Sequence, residues 1–585
     1  MTRQTVATTD GVSLTVDVHS EDGPTVVLVH GYPDTSRVWD EVVALLVGRF
    51  RVVTYDVRGA GDSGVPDSRD GYRFEQLAAD LRTVIEAVSP DGRAHVVGHD
   101  WGGIQGFEAA TMPEMADVMA SFTCIGGGSF DHAGRLLYRH LSPSRHPLRG
   151  LRAVRKQFTR SWYILGFQLP VLPEAIWNSG LAARIKNLLE AVEPREGHPA
   201  ETFEQDGING IELYRANLGR VFRPRRDHVH PPTQVILGDK DPFASVELFE
   251  ELPELAPNAW LRVVHGGHWL PRTHPGLLAN AITELVEHVE HVEGADPAPE
   301  LERAAVDRHD RDLPFHGKVA VVTGAGNGIG RATAIALAER GADIVVVDLD
   351  EAAGNRTATF VRHLGVRAGV HVVDVSDASA MEALAKTVLE EHGAPDIVVN
   401  SAGIGITGSF LDTRPGDWER ILGVNLWGVI HGGRLFAQQM VDAGRPGHIV
   451  NLSSGLGYTP ARDLSAYATT KAAVLMLSEV QRNELADHGI GVSAICPGIV
   501  DTGITDRTAH VGVDDEEGDR RRRMTSELYR RRSYGPEKVA AAIVDAVLHD
   551  RAVVPVTPEA RFGRILSRLS PGLNRALART DILGR

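Results

Sequence analysis

"VVGHDWGGIQG", residues 96–106, reads as the end of a buried strand, a sharp turn and the start of a helix. Its core, G-H-D-W-G, has the spacing of the G-x-S-x-G turn. That turn strains the backbone of its central residue and holds the side chain out as a nucleophile. Here the central residue is Asp100, a carboxylate where a hydroxyl usually stands. Gly98 and Gly102 are expected because larger side chains would collide across the turn. An ordinary βα turn with a capping aspartate would look the same over these few residues. The rest of the chain has to decide.

Nucleophile, acid and histidine are expected in that chain order. Downstream, "GDKDPF" ends an apolar strand and offers Asp241 or Asp239 as the acid. "VVHGGHWLPRTHP" then offers His268 in a glycine-rich loop. Upstream, "HGYPD" (30–34) follows the strand "TVVLV". It suits a loop whose Tyr32 N–H joins that of Trp101 in an oxyanion hole.

These four motifs, over residues 5–290, resemble the α/β-hydrolase-fold epoxide hydrolases. The related haloalkane dehalogenases share the aspartate nucleophile, and the helical cap discriminates between them. The epoxide hydrolases carry two cap tyrosines that donate hydrogen bonds to the epoxide oxygen. "SWYILGFQLP" and "GIELYRANL" match those motifs, which puts the tyrosines at Tyr163 and Tyr214, in a cap over about 135–230. The resemblance implies attack by Asp100 to give an alkyl ester. Water activated by His268, oriented by Asp241, then cleaves that ester to a vicinal diol.

The chain has 585 residues, more than one ordinary core organises, so at least two domains are expected. Both halves alternate short apolar runs with helix-length segments, the pattern of α/β folds with mostly parallel sheets. The pattern restarts near residue 313. Residues 293–313 are polar, charged and proline-bearing, and read as a linker between domains at 1–292 and 314–585. A net charge of -16 disfavours nucleic acid as a partner. The two cysteines, Cys124 and Cys496, offer neither a disulfide framework nor a metal site. The first residues hold no apolar signal-type run, and a cytoplasmic protein is expected.

In the second half "VAVVTGAGNGIGRATA" runs from strand through a glycine loop into a helix. Its glycines let the backbone approach a diphosphate at the helix N-terminus. The next strand ends in Asp348, whose carboxylate suits the adenosine ribose and repels a 2′-phosphate, so NAD is favoured over NADP. "NLSSGLGYTPARDLSAYATTKAA" places Tyr467 and Lys471 four apart, on one helical face, with Ser454 thirteen residues before the tyrosine. With Asn425 in "GVNLWG" and "CPGIVDTGIT", these motifs resemble the short-chain dehydrogenases/reductases over residues 314–555. "NSAG" replaces the usual "NNAG". The resemblance implies a Rossmann-type sheet and a cofactor site. Its phosphate loop supplies Gly324, Asn327, Gly328, Ile329 and Gly330, and the adenosine side Asp348, Asp374 and Val375. Asn400, Ala402 and Gly403 are expected to complete the adenosine-side wall, and Tyr467, Lys471, Pro497, Gly498, Val500 and Thr502 are the further cofactor-binding residues. Ser454, Tyr467, Lys471 and Asn425 are implied as the catalytic set, with Thr502 on the carboxamide.

Residues 503–535 read as a substrate lid whose charge runs form a solvated face. The tail from Pro558 puts Phe562, Ile565, Leu566 and Leu569 on one helical side, and Arg561, Arg564 and Arg568 towards the other. Docking on the body is the expected use, with subunit pairing or peripheral contact with an anionic membrane as the alternatives. Fusions of an epoxide hydrolase with a short-chain dehydrogenase are known from actinobacteria, and this chain resembles them. That resemblance implies lipid or acyl-chain epoxide and alcohol substrates and a homo-oligomer. A dehalogenase beside an independent dehydrogenase, or one half acting only as a binding module, are the competing readings.

Overall fold

The computed structural model describes residues 1–578 apart from 132, 136–159, 162, 181–183, 185–197, 223–227, 250–251, 257, 291–297, 306–312, 505–506 and 533. Much of the cap read at 135–230, and parts of the expected linker and tail, lie outside the described residues. The chain forms two compact units, Met1–Arg308 and His309–Arg585.

The first unit is built on eight strands: β1 (Thr2–Ala7), β2 (Ser13–Val18), β3 (Thr25–Val29), β4 (Arg51–Tyr55), β5 (Ala94–His99), β6 (Met119–Ile125), β7 (Thr233–Gly238) and β8 (Ala259–Val264). They lie in the order β1-β2-β4-β3-β5-β6-β7-β8. β1 and β2 pair antiparallel at one edge and β2 meets β4 antiparallel, while every pairing beyond β4 is parallel. The runs "TVVLV" and "AHVVGH" are buried throughout, as strands covered on both faces must be. Helix α1 (Trp101–Ala110) leaves the end of β5, and α2 (Phe203–Asn217) belongs to the cap. Five neighbouring strands, β3, β5, β6, β7 and β8, therefore release their loops at the same end of the sheet. That is where a parallel sheet builds its site.

The expected linker is not free of structure. Helix α3 (Pro299–Ala304) lies inside it, with Leu301 and Ala304 buried, and Ala305 bridges Trp260 of β8. Two apolar residues three apart are too short a pattern to register as a period, yet they suffice to pin one turn to the first unit.

The second unit begins with β9 (Val319–Thr323), followed by α4 (Gly328–Ala338), β10 (Asp343–Asp348), β11 (Ala368–Val372), β12 (Ile397–Asn400), β13 (Ile406–Thr407) and β14 (Gly447–Leu452). Then come α5 (Ser465–Leu485), β15 (Ile490–Cys496), β16 (Ala509–His510), β17 (Val553–Pro555), α6 (Pro558–Leu569) and α7 (Pro571–Leu577). Seven strands form one parallel sheet, ordered β11-β10-β9-β12-β14-β15-β17. The order reverses between β9 and β12, a crevice for a dinucleotide at the carboxyl ends of the strands. Within 503–535 the chain forms a helix over Asp515–Arg532, where Arg520 and Arg521 pair with Glu517 and Arg522 with Asp519. Three of its arginines are thus matched by acids one turn away on the same helix.

One buried ion cluster anchors the first unit. The Arg58 guanidinium donates to both oxygens of Asp80, at 2.6 Å each, and to Asp10. Arg58 and Asp80 are both buried. Arg58→Met would leave Asp80 charged and uncompensated, at a cost of about 3–5 kcal/mol. A urea titration followed by circular dichroism should show the unfolding of this unit moved to lower denaturant, with the second unit's transition unchanged.

Candidate active sites

At the end of β5, Asp100 adopts φ 50° and ψ −114°, a left-handed conformation rare outside glycine. The turn is closed by backbone crowding. A Cβ on Gly98 would stand 2.2 Å from the Gly102 oxygen, and one on Gly102 would stand 2.1 Å from the Val29 oxygen. The Asp100 N–H donates to Ile125 O, which ties the turn to β6.

The two Asp100 oxygens have different neighbours. Oδ2 accepts the Tyr32 N–H at 2.9 Å. Oδ1 lies 3.5 Å from His268 Nε2. Trp101 opens α1, so its N–H is among the helix's unbonded first donors. His268 Nδ1 is 2.8 Å from Asp241 Oδ2, while Asp241 Oδ1 accepts the N–H groups of Phe243 and Ala244. Asp239, the other acid of "GDKD", is engaged elsewhere, with His265 Nδ1 at 2.9 Å and the Gly266 N–H. The geometry therefore gives the orienting role to Asp241. Asp34 Oδ2 accepts from Trp269 Nε1 and so joins the "HGYPD" loop to the loop carrying His268.

At His268 burial opposes the charged ring, but the carboxylates of Asp241 and Asp100 outweigh it and push the pKa up to about 10. Asp241, also buried, is held below its ordinary value by the same imidazole.

Tyr163 and Tyr214 come together, with ring centroids 5.9 Å apart. Tyr214 also packs edge-on against Trp101 and Tyr32. Burial, the neighbouring phenol and the Asp100 charge raise the pKa of Tyr214, and burial and Asp100 raise that of Tyr163, so both keep their protons. Phe167 and Phe243 complete an aromatic wall beside them. The Tyr32 hydroxyl donates to Gly207 O of α2, fixing the cap to the loop that carries the oxyanion donor.

Two residues of this site escape sequence reading. Gly126, after β6, has φ +63°, and a Cβ there would stand 3.2 Å from both Asp241 Oδ2 and His268 Nδ1. The run "GGG" at 126–128 was its only signal. His99 lies with its ring centroid 4.9 Å from that of His268, and its Nε2 is 3.0 Å from His268 O. A carbonyl accepts, so this nitrogen carries the proton. Burial and the adjacent His268 push His99 down to about 4, leaving it a neutral brace.

In the second unit the glycine loop forms a cradle. A Cβ on Gly330 would stand 2.2 Å from Gly324 O, and one on Gly324 would stand 2.8 Å from Ala402 Cα. Asp348 Oδ2 accepts the Gly326 N–H at 2.7 Å, so the acid at the end of β10 is locked beside the loop. The N–H groups of Ser401 and Ala402 donate to Thr323 Oγ1, placing the "NSAG" stretch behind it. Bare backbone, a helix N-terminus at Gly328 and a fixed carboxylate fit a dinucleotide. Thr502 lies against Gly328, beside the phosphate loop. Arg507 also reaches that loop, with Nη2 3.0 Å from the Asn327 amide oxygen when that amide faces it. Its position in the lid gave no hint of this.

Other expected cofactor residues have contacts within the protein. Asn400 is buried and donates to Asn451 Oδ1, and Val500 packs in the apolar core. Asp374 Oδ1 accepts from the N–H and Oγ of Ser376, closing its own turn. Val375 is buried against Gly428. Ile329 packs on the core, while Gly403 lies near both Asn425 and Lys471.

Tyr467 and Lys471 share one face of α5, with Nζ 5.7 Å from the phenol ring. Lys471 donates to Leu452 O, and burial lowers its pKa to about 8. Asn425 sits in a short π-helical stretch, Gly423–Trp427. Its amide both donates to and accepts from the Ile404 backbone, and it also donates to Thr470 Oγ1. Such a π-turn commonly marks a functional position. Ser454 accepts from the Leu456 N–H and donates to Pro497 O. Gly498 N–H is held by Thr557 Oγ1.

Residues 24–275 match the alpha/beta hydrolase fold family and residues 318–511 the short chain dehydrogenase family. "Probable oxidoreductase EphD" of Mycobacterium tuberculosis is 41% identical over 585 residues, covering 98% of both chains. This chain belongs to that family of hydrolase–dehydrogenase fusions. "Short chain dehydrogenase/reductase astE" of Aspergillus oryzae is 35% identical over 239 residues, 40% of this chain and 90% of that protein. A crystal structure of a short chain dehydrogenase/reductase from Burkholderia phymatum in complex with NAD is 33% identical. It covers 46% of this chain and 99% of that one, with a TM-score of 0.42. The protein is thus an enzyme with a hydrolase-fold unit and an oxidoreductase unit using an NAD(P)-type cofactor. No described helix is long and apolar enough to cross a membrane.

Asp100→Asn in the hydrolase unit removes one of the two charges on His268. Its pKa should then fall below about 10. An NMR titration of the ring protons with an unchanged midpoint would refute that electrostatic origin. In the dehydrogenase unit, Gly330→Ala should weaken NADH binding at least about tenfold, ~1.4 kcal/mol. The fluorescence of bound NADH measures this without turnover.

Proposed function

We propose that the hydrolase unit opens an epoxide to a vicinal diol and that the dehydrogenase unit oxidises an alcohol with NAD. The observation that carries the first half is the pair of phenols, Tyr163 and Tyr214, kept protonated beside Asp100. A halide leaving group needs no proton, whereas a ring-opened alkoxide does.

Asp100 Oδ1 attacks an epoxide carbon. The carbon–oxygen ester bond forms, the ring bond breaks, and its electron pair passes to the epoxide oxygen, which draws a proton from a tyrosine. Oδ2 becomes the carbonyl oxygen of the ester, still held by the Tyr32 N–H. Esterification removes the Asp100 charge from beside His268, so the imidazolium becomes a stronger acid; its proton returns to the tyrosinate, which leaves a neutral imidazole as a usable base near neutral pH. His268 takes a proton from water, and the hydroxide attacks the carbonyl carbon. The oxyanion on Oδ2 rests on the N–H groups of Tyr32 and Trp101. Collapse breaks the ester carbon–oxygen bond, the departing alkoxide takes the proton of the carboxyl group just formed, and the diol leaves with Asp100 again a carboxylate and His268 again protonated.

In the dehydrogenase unit the cradle of Gly324–Gly330 would hold the diphosphate, and Asp348 the adenosine ribose. A 2′-phosphate would face the Asp348 carboxylate, which supports NAD over NADP. A bound nicotinamide supplies the hydride acceptor. Tyr467 takes the proton of the alcohol, Ser454 holds its oxygen, and Lys471 stabilises the tyrosinate. Lys471 does so while desolvated, which sharpens its electrostatic effect. Asn425, fixed by Ile404, holds the proton path beside Lys471. The aromatic wall around Tyr163 and Tyr214 supports substrates with an apolar, acyl-type chain, and the diol from the first unit is an alcohol of the class the second would use.

Asp100→Ala should abolish epoxide hydrolysis and spare NAD-linked turnover, and Tyr467→Phe should do the reverse. Tyr163→Phe with Tyr214→Phe should slow epoxide opening by at least about a hundredfold, the scale of lost oxyanion donors. Epoxides of increasing chain length, with and without NAD and with product analysis, test both halves together. Halide release without epoxide turnover would instead identify a dehalogenase. Diol that persists in the presence of NAD, while other alcohols are oxidised, would separate the two reactions.

A further inference from the structure

Helices α6 and α7 are fastened to the dehydrogenase unit along one side only. Ala560 is buried, Tyr458 Oη donates to Ala560 O at 2.7 Å, and Arg564 donates to Val553 O at 2.7 Å. Asn574 donates to Tyr458 O, and Glu559 Oε1 accepts the Ile499 N–H. Apart from the bond to Val553 of β17, these fall on two loops, 454–458, which carries Ser454, and 497–499. The other side of α6 carries an apolar strip that the described residues leave open: Phe562, Ile565 and Leu569 are 61%, 57% and 80% exposed. At spacings of three and four they lie on one face. Leu573 of α7 is also exposed. The expectation that the helix buries its large apolar residues against the body is therefore corrected. It docks through small residues, Ala560 and Gly563, keeps Leu566 half-buried, and turns Phe562, Ile565 and Leu569 outward.

The charge around this strip runs against the rest of the protein. The chain carries a net −16, yet residues 558–578 hold four arginines and one glutamate, and that glutamate is engaged with Ile499. Arg561 and Arg568 are exposed and border the strip, and Arg575 is exposed on α7. A second copy meeting this face symmetrically would bring arginine against arginine. An anionic lipid surface matches both components, since acyl chains receive the apolar strip and phosphate headgroups receive the arginines. We propose that α6 and α7 dock the dehydrogenase unit on an anionic lipid surface, presenting the Ser454 loop towards molecules dissolved in it.

The test uses the full chain and co-sedimentation with vesicles of phosphatidylglycerol and phosphatidylcholine, against phosphatidylcholine alone. Binding is expected only to the anionic vesicles and should weaken as salt is raised. Arg561→Glu with Arg568→Glu should weaken it by roughly fivefold or more per residue. Phe562→Asp with Ile565→Asp and Leu569→Asp should abolish it. Retained NADH fluorescence shows that a variant is folded, and if the triple variant fails that check the two exposed arginine positions decide. The proposal is overturned if the parent ignores anionic vesicles, if it binds both vesicle types alike, or if folded variants bind as the parent does. It is equally overturned if the parent ignores vesicles while the aspartate variants sediment as a smaller oligomer, which would make this face a contact between copies.

Discussion

Asp100 is held at φ 50° by backbone that leaves it no alternative, a conformation worth on the order of 1–3 kcal/mol of strain. Gly98 and Gly102 let the strand, turn and helix close to within contact of one another. Gly31 allows the neighbouring loop to pass against the aspartate itself, where a Cβ would stand 2.5 Å from Asp100 Cβ. Relaxing that one dihedral would swing the carboxylate away from the Tyr32 N–H and from His268 together. The oxyanion donor, the base and the phenols of the cap are all placed relative to it. The packed sheet beneath absorbs the strain, with β5 buried along its whole length.

The two sites treat buried nitrogen bases in opposite ways. His268 is surrounded by carboxylates and its pKa rises to about 10, so it stays charged until a neighbouring negative charge is removed. Lys471 has a carbonyl for a hydrogen-bond partner and no carboxylate among the groups that shift it, and burial brings it down to about 8. The same low-dielectric surroundings make one group a delayed base and the other an easily tuned cation. The distinction lies in which partner each loop delivers.

What the sequence made legible follows from how local each constraint is. The elbow, the glycine cradle and the Tyr467–Lys471 spacing are short patterns whose geometry is fixed within a few residues, and all three fold as read. The choice between Asp239 and Asp241 was not local. Both follow one strand, and only the approach of β8 hands His265 to the first and His268 to the second. Gly126 and His99 act on residues distant in sequence, and neither "GGG" nor a histidine beside a nucleophile announces that. Asn400 sits in a recognisable motif, but its side chain answers to Asn451 across the sheet in the register that pairs the two strands. Helix α3 went unseen because two buried residues are too few to set a rhythm.

The connectivity of the two sheets bears on how the chain is made. The strands of the hydrolase sheet and its catalytic loops all come from the first 308 residues, so that unit is complete in sequence before the other begins. The dehydrogenase sheet is different. Its edge strand, β17, comes only after the lid and pairs with β15 across more than fifty intervening residues. Until Val553–Pro555 arrives, β15 has an open hydrogen-bonding edge, the kind of surface that invites pairing with other chains. During synthesis from the N-terminus a folded hydrolase therefore precedes an unfinished sheet. The hydrolase unit is sound in a chain that stops before Val553, whereas the dehydrogenase sheet needs Val553–Pro555 to close.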